Sequence, residues 1–263
     1  MEKLDSYHLP VTGRSILRFA FPTIVMTVFN TFYTMVDGLF VSNLIGMEAL
    51  SAINLTAPAI ALITAVSGML ATGGSAVVMK KMGEGSEQEA RQDFTLLILT
   101  NALVGAVMMV LGYTLMDTLL GTMGLTPAVF GYCHTYLSNY LLFTIPILLM
   151  YNFSLYLIAA DKSTLSLICT VAGGVTNIIL DYALISLFNL GIQGAAIATG
   201  LGYSITAVVG FLVFRKKDNL LHFEKPVFRG GVLFHASTNG MSELATSLVS
   251  GITTLLFNMA MLK

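Results

Sequence analysis

Residues 15–44 read SILRFAFPTIVMTVFNTFYTMVDGLFVSNL, and this stretch decides the fold of the chain. The run is apolar and long enough to cross a bilayer, which takes about 20 such residues in a helix. One carboxylic acid, Asp37, lies inside it. An acid at membrane depth costs about 2.5–3.5 kcal/mol on insertion scales, so it is normally kept for a task or hidden against a partner. Asp37 is therefore the residue that most needs a functional explanation.

The composition of the whole chain agrees with this interpretation. The protein has 263 residues, of which 56% are hydrophobic and 10% are charged. A soluble domain of this length carries about 25% charged residues, because its surface must face water. The net charge is −1, which gives a nucleic-acid partner no basic surface to bind. The two cysteines, Cys133 and Cys169, lack the spacing of a metal site or a disulfide scaffold. We therefore expect an integral membrane protein.

Seven apolar segments are long enough to span a bilayer. They predict an all-α, polytopic transmembrane helical bundle rather than any β architecture. The predicted spans are residues 16–40, 52–79, 94–115, 132–158, 164–187, 192–214 and 232–260.

The basic residues predict how this bundle lies in the membrane. If the helices alternate in direction, 12 of the 13 Lys and Arg fall on one side, and Lys263 at the end of the chain is left over. The loops on the opposite side, around Gly46, Gly121 and Asn189, contain no Lys or Arg. Because cytoplasmic loops carry an excess of positive charge, we expect a multi-pass protein of the cell membrane with its N-terminus in the cytoplasm. The 12 residues are Lys3, Arg14, Arg18, Lys80, Lys81, Arg91, Lys162, Arg215, Lys216, Lys217, Lys225 and Arg229.

A weak internal repeat suggests how the spans are grouped. Arg14-Ser-Ile-Leu-Arg-Phe19 opens the first span, and Arg229-Gly-Gly-Val-Leu-Phe234 precedes the last. Parallel repeats of about six helices are a common plan among transporters. The last helix is therefore expected to begin a second copy, and the chain looks truncated after it. The predicted units are a cytoplasmic N-terminus, a lobe of six helices, a cytoplasmic linker and the first helix of a second lobe, at residues 1–14, 15–214, 215–231 and 232–263.

Two pairs of polar residues in the spans predict a site for a proton or a small cation. Asn177 and Asp181 are four residues apart, and so are Tyr33 and Asp37, which places each pair on one face of its helix. Carboxylate and amide oxygens suit hard cations, and two neighbouring acids favour a shared proton. Thr199 follows a run of small residues and can present a hydroxyl to the same cluster. The alternative is that these residues are hydrogen-bonded packing contacts between helices.

Other polar residues in the spans are candidates for a substrate cavity, and Pro22 is a candidate bend because proline removes a backbone donor. Glu243 is a third acid, near the middle of the predicted seventh span. The expected cavity residues are Asn30, Tyr140, Asn152 and Glu243.

Three motifs, in this order and spacing, resemble the multidrug and toxic compound extrusion (MATE) transporters, in their DinF-like branch. The resemblance covers nearly the whole chain. Two local departures, Ile158-Ala-Ala-Asp-Lys162 after the fourth span and Tyr182 after the second acid, affect the loops more than the predicted site. The motifs are Asn30-x-x-Tyr33-x-x-Val36-Asp37-Gly38-x-Phe40-Val41, Gly174-x-x-Asn177-Ile-Ile-Leu-Asp181 and Gly191-x-x-Gly194-Ala-Ala-Ile-Ala-Thr199.

This resemblance implies a secondary active transporter, not an enzyme, that exports organic and often cationic compounds in exchange for H⁺ or Na⁺. It implies two six-helix lobes, with the missing C-lobe required for transport, and a first helix that bends at Pro22. No cofactor is implied beyond the coupling ion, with Na⁺ as a possible metal at Asp37 and Asp181. The implied coupling residues are Asp37, Asn177, Asp181, Thr199 and either Tyr136 or Tyr140.

Three alternatives stay open at this stage. A flippase for lipid-linked saccharides of the same superfamily is disfavoured, because such proteins need basic residues for the pyrophosphate and no span contains one apart from Arg18 at the cytoplasmic start of the first. An intramembrane enzyme is disfavoured because no His-Glu-x-x-His or Gly-x-Ser-x-Gly motif is found. The third alternative is that the chain is an inactive transporter fragment.

Overall fold

The computed structural model describes the backbone of residues 13–261 and the side chains of residues 20–254. The predicted N-terminal unit, and the side chains of the first half of the predicted repeat at 14–19, lie outside the described residues. Within the described range the chain forms nine α-helices and no strand, which confirms the all-α prediction. The helices are α1 Gly13–Leu44, α2 Met47–Gly83, α3 Glu87–Gly121, α4 Pro127–Leu141, α5 Thr144–Ala159, α6 Ser163–Asp181, α7 Ile192–Phe214, α8 Gly230–Asn239 and α9 Met241–Met261.

Five helices of the described chain are long and apolar enough to cross a membrane: Ala20–Leu44 of α1, then α2, α3, Ser163–Leu187 with α6, and α7. The helix pair α4 and α5 makes a sixth span if the two are counted as one. The first six predicted spans therefore correspond to helices of the structure.

The predicted fourth span, 132–158, is broken in its middle. Helices α4 and α5 meet at an angle of 56°, and the break lies at Leu142 and Phe143. Pro146 lies in the first turn of α5, where it lacks the N–H that would have continued the helix from Leu142. The predicted span corresponds to this bent pair, and the break was not part of the prediction, because hydropathy reports the length of a span and not its direction.

The predicted seventh span, 232–260, is also two helices. Helix α8 ends at Asn239 and α9 begins at Met241, and neither is among the candidate spans of the described chain. The break at Gly240 lies directly on α2, since a Cβ atom built at Gly240 would be 1.9 Å from the Met69 carbonyl oxygen. No side chain fits at this distance, so the contact requires glycine.

A π-helical turn, Tyr182–Leu187, continues α6 immediately after Asp181. It is closed by the Phe188 amide, which donates to the Ala183 carbonyl at 3.0 Å. Such turns occur often at functional sites, since they change the register of the side chains that follow.

The basic residues of the described chain meet at one end of the bundle, which we call the basic end. Lys81 of α2 and Arg229 both bind Asp93 of α3, and Arg91 Nε donates to the Leu220 carbonyl at 3.0 Å. An aromatic core lies beside them, in which Phe223 stacks on Phe94 with 5.4 Å between the ring centroids. Residues 215–229 are therefore packed onto α3 and α7.

Candidate ion and substrate site

A cavity of about 640 Å³ lies between α1, α2, α5, α6, α7 and α9. Its lining is polar for a membrane bundle and carries many hydroxyl groups. Among the described residues that line it, Glu243 is acidic and none is Lys or Arg. The polar lining residues are Thr23, Thr27, Asn30, Tyr33, Thr64, Thr72, Tyr151, Ser154, Thr170, Asn177, Thr199, Tyr203, Thr206, Glu243 and Ser247.

Helices α6 and α7 approach closely at one side of this cavity. A Cβ atom at Gly173 would lie 2.7 Å from the Gly202 carbonyl oxygen, so small residues are required where the two backbones meet. The close packing brings Asn177 opposite Thr199, and the Asn177 amide donates to the Thr199 hydroxyl at 3.4 Å. The hydroxyl in turn donates to the Ala195 carbonyl at 3.0 Å. The amide oxygen Oδ1 of Asn177 is buried and has no hydrogen-bond partner.

The two predicted acids, Asp37 and Asp181, lie beside each other, and Asp181 is one helical turn from Asn177. The carboxyl groups of Asp37, on α1, and Asp181, on α6, are direct neighbours. The residue Asp181 is completely buried, at 0% exposure. Both carboxyl oxygens of Asp181, and Oδ1 of Asp37, are buried without a hydrogen bond of regular geometry. Two carboxylates so placed repel each other, and a bound proton or cation relieves this repulsion.

Tyr136 of α4 completes this cluster, and of the two tyrosines left open by the sequence it is the one beside the acids. Its ring is buried, and its phenol lies near Thr199, Asp37 and Asp181. Tyr140 stacks on Tyr136 with 6.1 Å between the ring centroids, and it is buried in the core away from the cavity lining. Tyr140 is thus not among the described residues that line this cavity, and its expected role in substrate binding stays a prediction.

Tyr33 points to the cavity and forms a bond that the sequence did not reveal. Its hydroxyl donates to the hydroxyl of Tyr203 on α7 at 2.9 Å. Tyr203 was missed by sequence analysis, although it lies four residues after Thr199, the same spacing that joins Tyr33 to Asp37. That spacing on α7 was the sign that could have identified it.

The other predicted residues divide into two groups. Asn30 and Glu243 line the cavity, although Glu243 lies in the first turn of α9 and not in the middle of a span. Asn152 does not line the cavity, because it is fully buried and exchanges amide hydrogen bonds of 2.9 and 3.1 Å with Asn101. Helix α1 passes through Pro22 without a break.

The site offers carboxylate, amide and hydroxyl oxygens, which suit a proton or a hard cation such as Na⁺. Within the described residues, no group of three or more His, Cys, Asp or Glu side chains is placed to hold a metal ion. Apolar helices long enough to cross a membrane, around a polar cavity with two neighbouring carboxyl groups beside it, define a multi-pass integral membrane protein.

The comparison with known proteins agrees and gives the family. The profile described as MatE matches residues 22–183, and the chain belongs to this family. The DinF-like branch stays a prediction.

Among curated relatives, the multidrug export protein MepA of Staphylococcus saprophyticus is 20% identical over 98% of this chain and 58% of its own length. MepA of Staphylococcus haemolyticus is 22% identical over 80% of this chain and 46% of its own. This chain thus spans about half to three fifths of the relatives that it matches.

Solved structures show the same fold. A structure of MATE in complex with MaD5 superposes with a TM-score of 0.87 at 21% identity, over 96% of this chain and 57% of that chain. A MOP superfamily transporter from Pyrococcus furiosus gives a TM-score of 0.82 at 22% identity, over 89% of this chain and 52% of that chain. At these identities the similarity concerns the fold alone.

Proposed function

We propose that this protein is a secondary active multidrug efflux transporter. It exports organic, often cationic, compounds in exchange for H⁺ or Na⁺ bound at Asp37 and Asp181. The observation that supports this most is the pair of adjacent carboxyl groups, of which Asp181 is completely buried, with three of their four oxygens lacking a regular hydrogen bond, beside a polar cavity that Asn177 and Thr199 line. Intramembrane acids that serve only packing are normally hydrogen-bonded or ion-paired.

The mechanism that we propose is competition at one site. Protonation or Na⁺ binding neutralises the pair Asp37 and Asp181, which removes the negative charge that attracts a cationic drug in the cavity. The drug is then released, and a new drug molecule favours loss of the ion. This coupling is reciprocal, since the factor by which the ion weakens drug binding equals the factor by which the drug weakens ion binding.

The setting of this mechanism is also part of the proposal. We infer that the basic end faces the cytoplasm and that the protein lies in the cell membrane. Alternating access needs two halves that move against each other. A second helical lobe is therefore the expected partner that completes the cavity, together with the lipid bilayer and small organic substrates.

The alternative function, flipping lipid-linked saccharides, is less well supported. Its pyrophosphate-bearing substrates call for Arg or Lys, the usual phosphate ligands, and the described residues that line the cavity include neither.

The test is drug efflux by the complete protein in proteoliposomes, with a H⁺ gradient and a Na⁺ gradient imposed separately. We expect efflux to follow one of the two ions in the wild type and to be lost in Asp37→Asn and in Asp181→Asn. The matched control is Asp117→Asn, because Asp117 is an exposed acid that contacts His134 at 3.4 Å outside the cavity. Efflux that ignores both ions, or that persists at the wild-type rate in both variants, would overturn the proposal.

A further inference from the structure

The hydroxyl pair of Tyr33 and Tyr203 directly connects α1 and α7. Tyr33 lies one turn from Asp37 along α1, and Tyr203 lies one turn from Thr199 along α7. The two helices therefore meet directly at the tyrosine pair, and one turn away they are joined indirectly, since Asp37 lies beside Asp181 of α6 and Thr199 bonds to Asn177 of the same helix. A displacement of α1 at one of these two places is transmitted to the other through a single helical turn.

The tyrosine pair also borders two spaces. Tyr33, Tyr151 and Tyr203 line the large cavity and, together with Asn30, also line a second, more open groove of about 480 Å³ along α1. A molecule that enters the large cavity from either space meets these hydroxyl groups. A phenol hydroxyl can donate to a substrate oxygen or nitrogen as well as to another hydroxyl.

We propose that Tyr203 is a positioning residue that couples the substrate cavity to the carboxylate pair through its bond with Tyr33. With the cavity empty, the bond holds α1 against α7 and keeps Asp37 beside Asp181. A substrate that takes either hydroxyl breaks the bond, which frees α1 and separates the two acids. This inference rests on the proposed antiport function and names the contact through which drug and ion sense each other.

The proposal requires that the response to pH come from the carboxylate pair and not from another group near the tyrosines. The titratable groups that face Tyr33, Tyr151 and Tyr203 from the surrounding helices are Asp37, Tyr136, Tyr140 and Glu243, and Asp181 lies next to Asp37 and Tyr136. Of these, Glu243 is the acid that lies in the lining of the cavity itself. All variants are therefore measured with and without Glu243→Gln.

The experiment measures the binding of ethidium, a planar organic cation, to the complete protein in detergent, at acidic and alkaline pH and with and without Na⁺. The wild type is expected to bind ethidium more weakly when the coupling ion is bound. In Tyr203→Phe the ratio of the two dissociation constants should shrink by about two- to tenfold, the range for one hydrogen bond. Tyr33→Phe should shrink it equally, and the double variant no further than either single one.

The control is Tyr113→Phe, which also removes an interhelical hydroxyl bond, to the Ser138 carbonyl, but lies outside both cavities. A purely structural role of Tyr203 would lower the melting temperature, or weaken ethidium binding equally under all conditions, and leave the ratio of the two dissociation constants unchanged; an unchanged ratio would overturn the inference. If Tyr203→Phe fails to fold, Tyr33→Phe decides, because it removes the same bond from α1. Wild-type binding that ignores both ions would overturn the antiport proposal itself.

Discussion

Two completely buried acids, Asp93 and Asp181, have opposite surroundings. Asp93, at the basic end, accepts hydrogen bonds from Lys81 and from Arg229, the latter at 2.8 Å, and a second nitrogen of Arg229 reaches Gln92 at 3.0 Å. Asp181, beside the cavity, has no hydrogen-bond partner of regular geometry for either oxygen. The chain thus gives one buried acid two cationic partners and leaves the other beside a second acid, Asp37.

The difference separates a structural acid from a functional one. A buried charge without a partner destabilises the fold, so it persists where function requires it. Asp93 joins α2, α3 and the segment before α8 into one unit, whereas Asp181 leaves a place open that a proton or a cation can occupy. The following predictions test this contrast through the stability of the fold.

The largest effect is expected for Asp93→Ala. It removes the buried acid that Lys81 and Arg229 share and leaves them the exposed Glu89, at 3.0 and 3.7 Å. Breaking a buried network typically costs about 3–5 kcal/mol, and the remaining contacts with Glu89 reduce this loss. A large drop in melting temperature in detergent, or loss of the monodisperse protein, is the expected observation. Asp117→Ala, which removes an exposed acid, should leave the melting temperature unchanged. A stable Asp93→Ala protein would show that the cluster at the basic end is dispensable.

An intermediate effect is expected for Asn101→Ala. The change leaves the Asn152 amide without its partner in the core, and an unsatisfied buried polar group costs about 1–3 kcal/mol. Each amide also donates to a carbonyl of its own helix, Leu97 or Leu148, and these bonds limit the loss. A double-mutant cycle with Asn152→Ala measures the coupling. Additive losses would show that the two amides do not support each other.

The smallest effect on stability is expected for Asp181→Asn. The amide removes a carboxylate that repels Asp37, so the melting temperature should stay at the wild-type value or rise, while ion-driven efflux is lost. Thermal unfolding and efflux measured on the same preparation check both parts. A marked loss of stability would place Asp181 in the same class as Asp93 and break the contrast.

Much of the site could be predicted from helical periodicity. The spacing of four residues in Tyr33 and Asp37, and in Asn177 and Asp181, identifies faces, and the structure brings these faces together. Their role in ion coupling stays a prediction. Periodicity could not distinguish Tyr136 from Tyr140, since both lie on one face of α4 and differ only in depth.

What the sequence could not supply were contacts between residues far apart in the chain. Asn152 was expected in the cavity because an amide in a span suggests a wet surface, but its partner Asn101 lies 51 residues away. The break at Gly240 depends on a backbone contact with Met69 of α2, which no local pattern encodes. The local sequence of α7 does not reveal that Tyr203 bonds to Tyr33 of α1.

The segment before α8, residues 224–229, is attached to α3. Arg229 is fixed to α3, and the Glu224 amide donates to the Thr95 hydroxyl of the same helix at 3.0 Å. The next two residues, Gly230 and Gly231, begin α8. The start of α8 is therefore fixed relative to α3 and does not depend on the length of residues 215–229.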